Sequence, residues 1–304
     1  TFPVLTYSLL YRDGKFVDEE FAKWCSDHNT TWNDSNFFIS EDVTSLSNCC
    51  RLVSDTSKLS AFINSIGGTA LSIGSVKVNT VNLMRVALES NKDEKKYLSV
   101  LKKRVTLCCK TLDVIRHIIQ RNIEKGLLPN YTDGGIEMAK QYCTVGILGL
   151  YEVVESFGYI KTDEFGYKSY TPEGIELASK IFDAINEVKD NFTKEYSFNV
   201  ESVPAERCAI VLCQKDNLLF GNSGKFIYSN QWIPLSEKCS ISEKVRLSSI
   251  LDKKCSGGAI AHINIENNFP NTESAWEMLQ YIAKYITPLF AIYCNISQAL
   301  SVLG

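Results

Sequence analysis

The sequence lacks the close cysteine pairs from which metal knuckles are built. None of its eleven cysteines stands in a Cys-x-x-Cys spacing, and its three histidines, His28, His117 and His262, lie far apart. A zinc ribbon needs two close ligand pairs and an iron–sulfur cluster a comparable thiolate set, so no metal is expected within this chain. Positive charge is not in excess. Lys+Arg total 32 against 35 Asp+Glu, a net charge of -3, which gives no electrostatic case for nucleic acid as a partner. No apolar run is long enough to span a bilayer, and no basic, then apolar, secretion signal opens the sequence. There is no internal repeat and no low-complexity linker. The odd cysteine count does not follow the spacing of a small secreted framework, so free thiols in a reducing cytoplasm are expected.

What is present fits a folded protein with a sizeable core. The 304 residues are 45% hydrophobic and 22% charged, enough for one large or two medium domains. Apolar residues Tyr97, Leu101, Val105, Cys108, Leu112, Ile115 and Ile119 recur at three- and four-residue spacing, which predicts a helix over 92–124, stopped by Gly126 and Pro129. Thr171-Pro172 reads as the cap and first residue of a second amphipathic helix over 173–191. Shorter helices are expected over 18–28, 84–89 and 272–286. Extended runs are expected over 2–7, 33–39, 76–83, 196–203, 228–235 and 289–293. After Gly257-Gly258 the alternation puts His262 and Asn264 on one strand face and Ile263 and Ile265 on the other. Strands alternating with long helices predict a mostly parallel α/β fold.

Ser47-Asn48-Cys49-Cys50-Arg51-Leu52 is the stretch with the most chemistry. Adjacent cysteines rarely form a disulfide, because the ring would be strained. Two readings stay open: a loop offering one thiol to a site, or a buried thiol pair acting as small hydrophobes. The glycines of Thr144-Val145-Gly146-Ile147-Leu148-Gly149 permit close backbone approach. With no Lys-Ser/Thr following, they make a weak nucleotide loop.

Seven segments, in order, resemble the anaerobic (class III) ribonucleoside-triphosphate reductases, a glycyl-radical enzyme family. Phe2-Pro3-Val4-Leu5-Thr6-Tyr7 resembles the family's Phe-Pro-x-x-Thr-Tyr opening, and Asn48-Cys49-Cys50-Arg51-Leu52 its Met-Cys-Cys-Arg-Leu finger loop. The run from Gly74-Ser75-Val76 to Asn82-Leu83-Met84-Arg85 is similar to Gly-Ser-x-Gly-Val-Val-Thr-x-Asn-Leu-Pro-Arg. Thr144 to Glu152 matches Thr-x-Gly-x-x-Gly-x-x-Glu, and Glu201-Ser202-Val203-Pro204-Ala205-Glu206 resembles Glu-x-x-Pro-Ala-Glu. Tyr228-Ser229-Asn230 and Ser256-Gly257-Gly258 resemble Tyr-Thr-Asn and Thr-Gly-Gly.

The resemblance implies a ten-stranded α/β barrel around a cysteine loop, with 1–304 as one catalytic-barrel region. It implies reduction of ribonucleoside triphosphates to 2′-deoxyribonucleotides by thiyl-radical chemistry, as part of a larger or split enzyme. Cys50 would be the thiyl, because it precedes Arg51 as the family's radical cysteine precedes its arginine; Cys49 is the fallback. Glu206 is a candidate acid. Ser75, Asn82 and Arg51 are candidates for the substrate, and the Pro204-Ala205 turn for phosphates. The glycyl radical would come from a segment or chain not present here. The family's N-terminal regulatory domain, first barrel elements and C-terminal zinc and glycyl-radical segment are expected elsewhere. Implied partners are nucleotide effectors, a radical-SAM activating enzyme, the remaining reductase parts and a second copy in a homodimer. Asn48, Lys77, Met84 and Arg207-Cys208-Ala209 depart from the family pattern. They keep open a degenerate relative that binds nucleotide or a partner protein without catalysis.

Overall fold

The computed structural model describes residues 5–41, 45–47, 53–55, 74–265, 269–285 and 289–294. The first described element is strand β1 (Leu5–Arg12), which turns through Asp13-Gly14 into the short β2 (Lys15–Phe16). Helix α1 (Glu19–Trp32) starts where the Asp18 side chain accepts from the Phe21 N–H at 2.9 Å, and Asn33 closes it in the left-handed region. Strand β3 (Ser35–Ser40) returns parallel to β1. Two three-residue strands, β4 (Ser45–Ser47) and β5 (Val53–Asp55), then pair antiparallel, with Ser47 opposite Val53.

Next come β6 (Gly74–Asn82), α2 (Leu83–Glu89), α3 (Glu94–Glu124), the single turn α4 (Pro129–Thr132), β7 (Gln141–Leu148) and α5 (Leu150–Ser156). A small hairpin, β8 (Ile160–Thr162) with β9 (Lys168–Tyr170), precedes α6 (Pro172–Phe192) and β10 (Phe198–Ser202). The last elements are α7 (Glu206–Phe220), α8 (Ile241–Leu251), β11 (Ala261–Ile265), α9 (Thr272–Tyr285) and β12 (Leu289–Cys294). The long α3 and α6 form where periodicity and caps predict them. Asp93 accepts from the Lys96 N–H at 2.7 Å, and Thr171 caps α6 ahead of Pro172.

Two sheets carry the fold, one ordered β6-β7-β10 and one β11-β12-β3-β1-β2. A parallel bridge between Glu201 and Gly258 joins them, supported by Gly257 N–H to Val200 O at 2.5 Å. Strands β6, β7, β10, β11 and β12 therefore run one way. Strands β3 and β1 run the other, because β12 meets β3 antiparallel at Leu289 opposite Phe38. No strand pairs β6 with β1 among the described residues, so the strands close no ring there.

Two apolar cores lie on the helix side of these sheets. Val81, Val145, Ile147 and Val200 pack against Leu101, Leu112, Ile181 and Phe182 of α3 and α6. Leu9, Phe37, Ile39 and Ile263 pack against Ala22 and Cys25 of α1 and Trp276 and Leu279 of α9. No helix among the described residues is long and apolar enough to cross a membrane.

One expectation is corrected: residues 228–235 form no strand; Tyr228, Trp232 and Ile233 are buried from an irregular strap, and the Trp232 ring N–H donates to Asp252 at 2.6 Å. The 15-residue helix α7 after Pro204 and the helix α8 stand where no helix is expected from the sequence.

Candidate active site

Strand alternation gives the sheet β6-β7-β10 a second face, and it is polar. Cys143, Val145 and Ile147 of β7 enter the core, so Thr144 and Gly146 point away from α3 and α6. Ser75 on β6 joins this face, its hydroxyl 2.7 Å from that of Thr144. A Cβ on Gly146 would lie 2.8 Å from both Thr80 Oγ1 and Val203 Cγ1, so three strands close up there only because the residue is glycine. On β10 the same alternation gives Asn199 and Glu201 to this face, both buried. Asn199 has neither amide atom hydrogen-bonded among the described residues.

The C-terminal ends of the three strands lie together. Asn82 is level with Leu148 and Ile147 with Ser202, and each strand then turns into a helix. Open α/β sheets place ligands at such an edge. Asn82 caps α2, accepting from the Arg85 N–H at 3.0 Å, and its amide donates to Asp216 of α7 at 2.9 Å. Asp216 is buried and also takes the Arg85 Nε at 2.5 Å and the Tyr228 hydroxyl at 2.9 Å. This network fixes α7 against the ends of β6 and α2.

Ala205, just before α7, sits at φ 51°, ψ -26°, a left-handed conformation unusual for a residue with a Cβ. The α7 N-terminus has no side-chain cap, so its first N–H groups face the strand-end edge without one. The turn from β7 into α5 is made by Gly149 at φ 87°. There Glu152 is buried, its Oε1 accepting from the Ser229 N–H at 2.9 Å. Burial pushes its carboxyl up to about 7.

The predicted residues divide by position. Asn82, Pro204, Ala205 and the backbone of Glu206 share the strand-end edge. Ser75 lies at the opposite end of β6, about 23 Å away for seven residues of strand. Cys49, Cys50 and Arg51 lie outside the described residues, within the link between the paired strands β4 and β5. Sequence reading missed Asp216 as a partner of this edge; Arg85 stood in a recognised motif and was the available signal. Among the described residues no cluster of three or more His, Cys, Asp or Glu could hold a metal ion. Cys108 and Cys109, the other adjacent pair, are buried on α3, and burial pushes both thiols up to about 12.

The family model for anaerobic ribonucleoside-triphosphate reductase matches residues 1–300. The anaerobic ribonucleotide reductase of Thermotoga maritima in complex with dATP and CTP is 41% identical, with a TM-score of 0.85 over 96% of this chain and 47% of that one. A second structure of that enzyme, with glycerol in the active site, gives the same identity and TM-score. The anaerobic ribonucleoside-triphosphate reductase of Escherichia coli (strain K12) is 23% identical over 234 residues, 69% of this chain. The chain spans about a third of the length of that curated relative (32%) and just under half of the Thermotoga structures. With motifs in family order, a family model spanning nearly every residue and a matching mixed α/β fold, the chain belongs to the anaerobic ribonucleoside-triphosphate reductase family.

Proposed function

We propose that this chain is the catalytic-barrel region of an anaerobic ribonucleotide reductase and reduces ribonucleoside triphosphates when joined to, or paired with, the rest of the enzyme. The observation that carries this reading is the family match over residues 1–300, with the Cys49-Cys50-Arg51-Leu52 motif linking β4 and β5. Binding of dATP and CTP by the Thermotoga enzyme supports nucleotides as substrate and effector here as well.

The fold reading extends to a ten-stranded barrel. Five parallel strands and two opposed ones stand in one order, β6-β7-β10-β11-β12-β3-β1. Three further strands running with β1 and β3 would make the two directions equal and join β1 to β6. The regulatory, zinc and glycyl-radical segments belong to the remaining parts, and the assembled enzyme is a homodimer acted on by a radical-SAM activating enzyme.

The paired strands β4 and β5 suit a thiol-bearing loop. A glycyl radical held outside this chain would supply the oxidising equivalent by taking the hydrogen atom of the Cys50 thiol. The Cys50 sulfur then takes the ribose 3′-hydrogen, which requires the reacting atoms to be held about 3–3.5 Å apart. Water leaves from C2′, a reductant outside the chain provides two electrons and a proton, a second proton comes from solvent, and Cys50 returns the hydrogen to C3′. Cys49 is the fallback for this role. The Pro204-Ala205 turn and the α7 N-terminus receive phosphate oxygens, as helix starts do. Glu206 is the acidic group, while Asn82 and Arg51 contact or position the sugar. Ser75, at the other end of β6, shapes the site.

The test is reconstitution with a glycyl-radical segment and its activating enzyme, scored by deoxyribonucleotide formation. Cys50→Ser is expected to abolish turnover while nucleotide binding persists, because the stronger O–H bond cannot donate the hydrogen atom. Turnover retained in Cys50→Ser removes the assignment. Arg207-Cys208-Ala209, where the family has small residues, favours one second reading, a relative that binds nucleotide without reducing it. Nucleotide binding without turnover in the reconstituted wild type would establish that one.

A further inference from the structure

A cavity of about 740 Å³ lies between the turn of the β8–β9 hairpin, residues 235–240, the first turns of α8 and the end of β11. That is the volume of a small-molecule site rather than of a packing defect. Lys244 lines it from α8. The residue is half-buried, and its ammonium has one hydrogen bond among the described residues, to the His262 carbonyl at 3.2 Å. Other lysines withdrawn from the surface, Lys140, Lys189 and Lys225, each meet a carboxylate, at 2.5, 2.5 and 2.7 Å. Lys244 meets none among the described residues. Glu243, beside it on α8, is taken by Arg246 at 2.6 Å. Cys239 on the cavity wall is no counter-ion either, since burial pushes its thiol up to about 11. Burial pushes the Lys244 ammonium down, as it does to a cation held without its opposite charge. A desolvated charge with no partner is costly, and such groups concentrate where a ligand supplies the partner.

We propose that this cavity binds a phosphate monoester, its phosphate meeting Lys244 and Lys238 while its apolar body lies against Leu235 and Ile265. Lys238 also lines the cavity, with its Nζ 4.4 Å from the centre of the Tyr167 ring and no carboxylate partner among the described residues. Two ammonium groups match the near-double negative charge of a phosphate monoester, whereas a carboxylate would leave one of them unmatched. Ser240 already caps α8, its hydroxyl accepting from the Glu243 N–H at 3.2 Å, so the attraction comes from the lysines and not from the helix start. Glu237 is the opposing charge on the wall and limits affinity. The inference rests on the cavity and its uncompensated lysine. It is independent of the reductase reading, for the cavity shares no lining residue with the strand-end edge of β6, β7 and β10.

Phenyl phosphate is the probe, titrated calorimetrically in phosphate-free neutral buffer into the 304-residue chain. Benzyl alcohol, which lacks the charge, and inorganic phosphate, which lacks the ring, are the comparators. Phenyl phosphate is expected to bind at least about tenfold more tightly than either, the factor a charge-assisted hydrogen bond supplies. Lys244→Met keeps the reach of the side chain and removes its charge, and is expected to weaken phenyl phosphate at least about tenfold. Glu237→Gln is expected to tighten phenyl phosphate about threefold by removing a like charge. Binding that survives Lys244→Met lies elsewhere, for instance at a nucleotide site, and overturns the proposal. So does a comparator that binds as tightly as phenyl phosphate, or no saturation by about 10 mM. If Lys244→Met fails to fold, Glu237→Gln decides, and absence of tightening overturns it.

Discussion

The two faces of β7 differ by a single step along the strand. Cys143, Val145 and Ile147 disappear under α3 and α6 into the apolar core. Thr144 and Gly146 face the other way, toward a Ser75 hydroxyl and the close approach of Thr80 and Val203. The helix side is held by area removed from water, which tolerates volume-conserving change. The polar side is held by directed bonds, where loss of one partner strands another. In a protein of this family the first face supplies stability and the second is free to carry chemistry.

The comparison breaks most visibly on the helix side. Leu101 is fully buried in the α3 core. Leu101→Ala is expected to cost about 3–4 kcal/mol, read as a lower urea midpoint at unchanged slope. A loss under about 1 kcal/mol would mean that α3 is not a core helix. At the strand ends, Asp216→Ala leaves Arg85 without its carboxylate. Because the Arg85 side chain is 25% exposed, the cost is expected near the lower bound for a broken buried pair, about 3 kcal/mol. Nucleotide affinity should fall with it if α7 is displaced, whereas Leu101→Ala should leave affinity alone once the chain is folded.

Asp252 sharpens the contrast from the other direction, since it is a carboxyl buried among the apolar residues of the helix side. Burial lifts it from an ordinary value of 3.8 up to about 8, against the opposing hydrogen bonds from Trp232 and Ser248. Between those values the folded chain holds a proton that the unfolded chain has released, so stability falls as pH rises. From about pH 5 to about pH 7 the loss expected from Asp252 is about 2.6 kcal/mol, close to the limit of ~1.4 kcal/mol per unit. Asp252→Asn is expected to remove about half of that slope, measured by denaturant titration at a series of pH values, because Glu152, lifted to about 7, titrates in the same window with the same sign. An unchanged slope would mean that another group sets it.

The smallest effect is expected at Ala205. Glycine there removes left-handed strain of about 1–2 kcal/mol but adds unfolded-chain entropy of about 0.5–1 kcal/mol. Ala205→Gly should therefore stabilise by about 0.5 kcal/mol, visible as a small rise in Tm, and a fall would show that the turn carries no strain.

What could be read from the sequence follows from these physical differences. Helices α3 and α6 were legible because their buried residues repeat at helical spacing and their caps are written in Asp93 and Thr171. The His262/Ile263 alternation of β11 was legible for the same reason, in the period of a strand. Helix α7 was not, because it buries Asp216 and leaves Leu218 85% exposed, which scrambles the apolar stripe. Helix α8 is short, and its one clear signal, Ser240 capping the Glu243 N–H, sits in a serine-rich run. The strap over 228–235 looked extended because it is aromatic, but Trp232 is buried by filling a core gap rather than by pairing in a sheet. At the candidate site, motif order pointed to the strand-end edge. The extended run expected over 76–83 already put Ser75 and Asn82 at opposite ends of one strand, whereas the motif match grouped them at one site.

The seam between β12 and β3 sets how this molecule must be made. Phe38 pairs with Leu289, so the sheet cannot close until about 250 residues beyond β3 have been made. Contacts of such sequence separation fold slowly, because a long loop must close before any reward arrives. Until then β3 holds an apolar edge strand, Asn36-Phe37-Phe38-Ile39, with β1 on one side and no partner on the other. During synthesis that edge is open to other chains, and β12, made long after β3, is the element that ends the exposure.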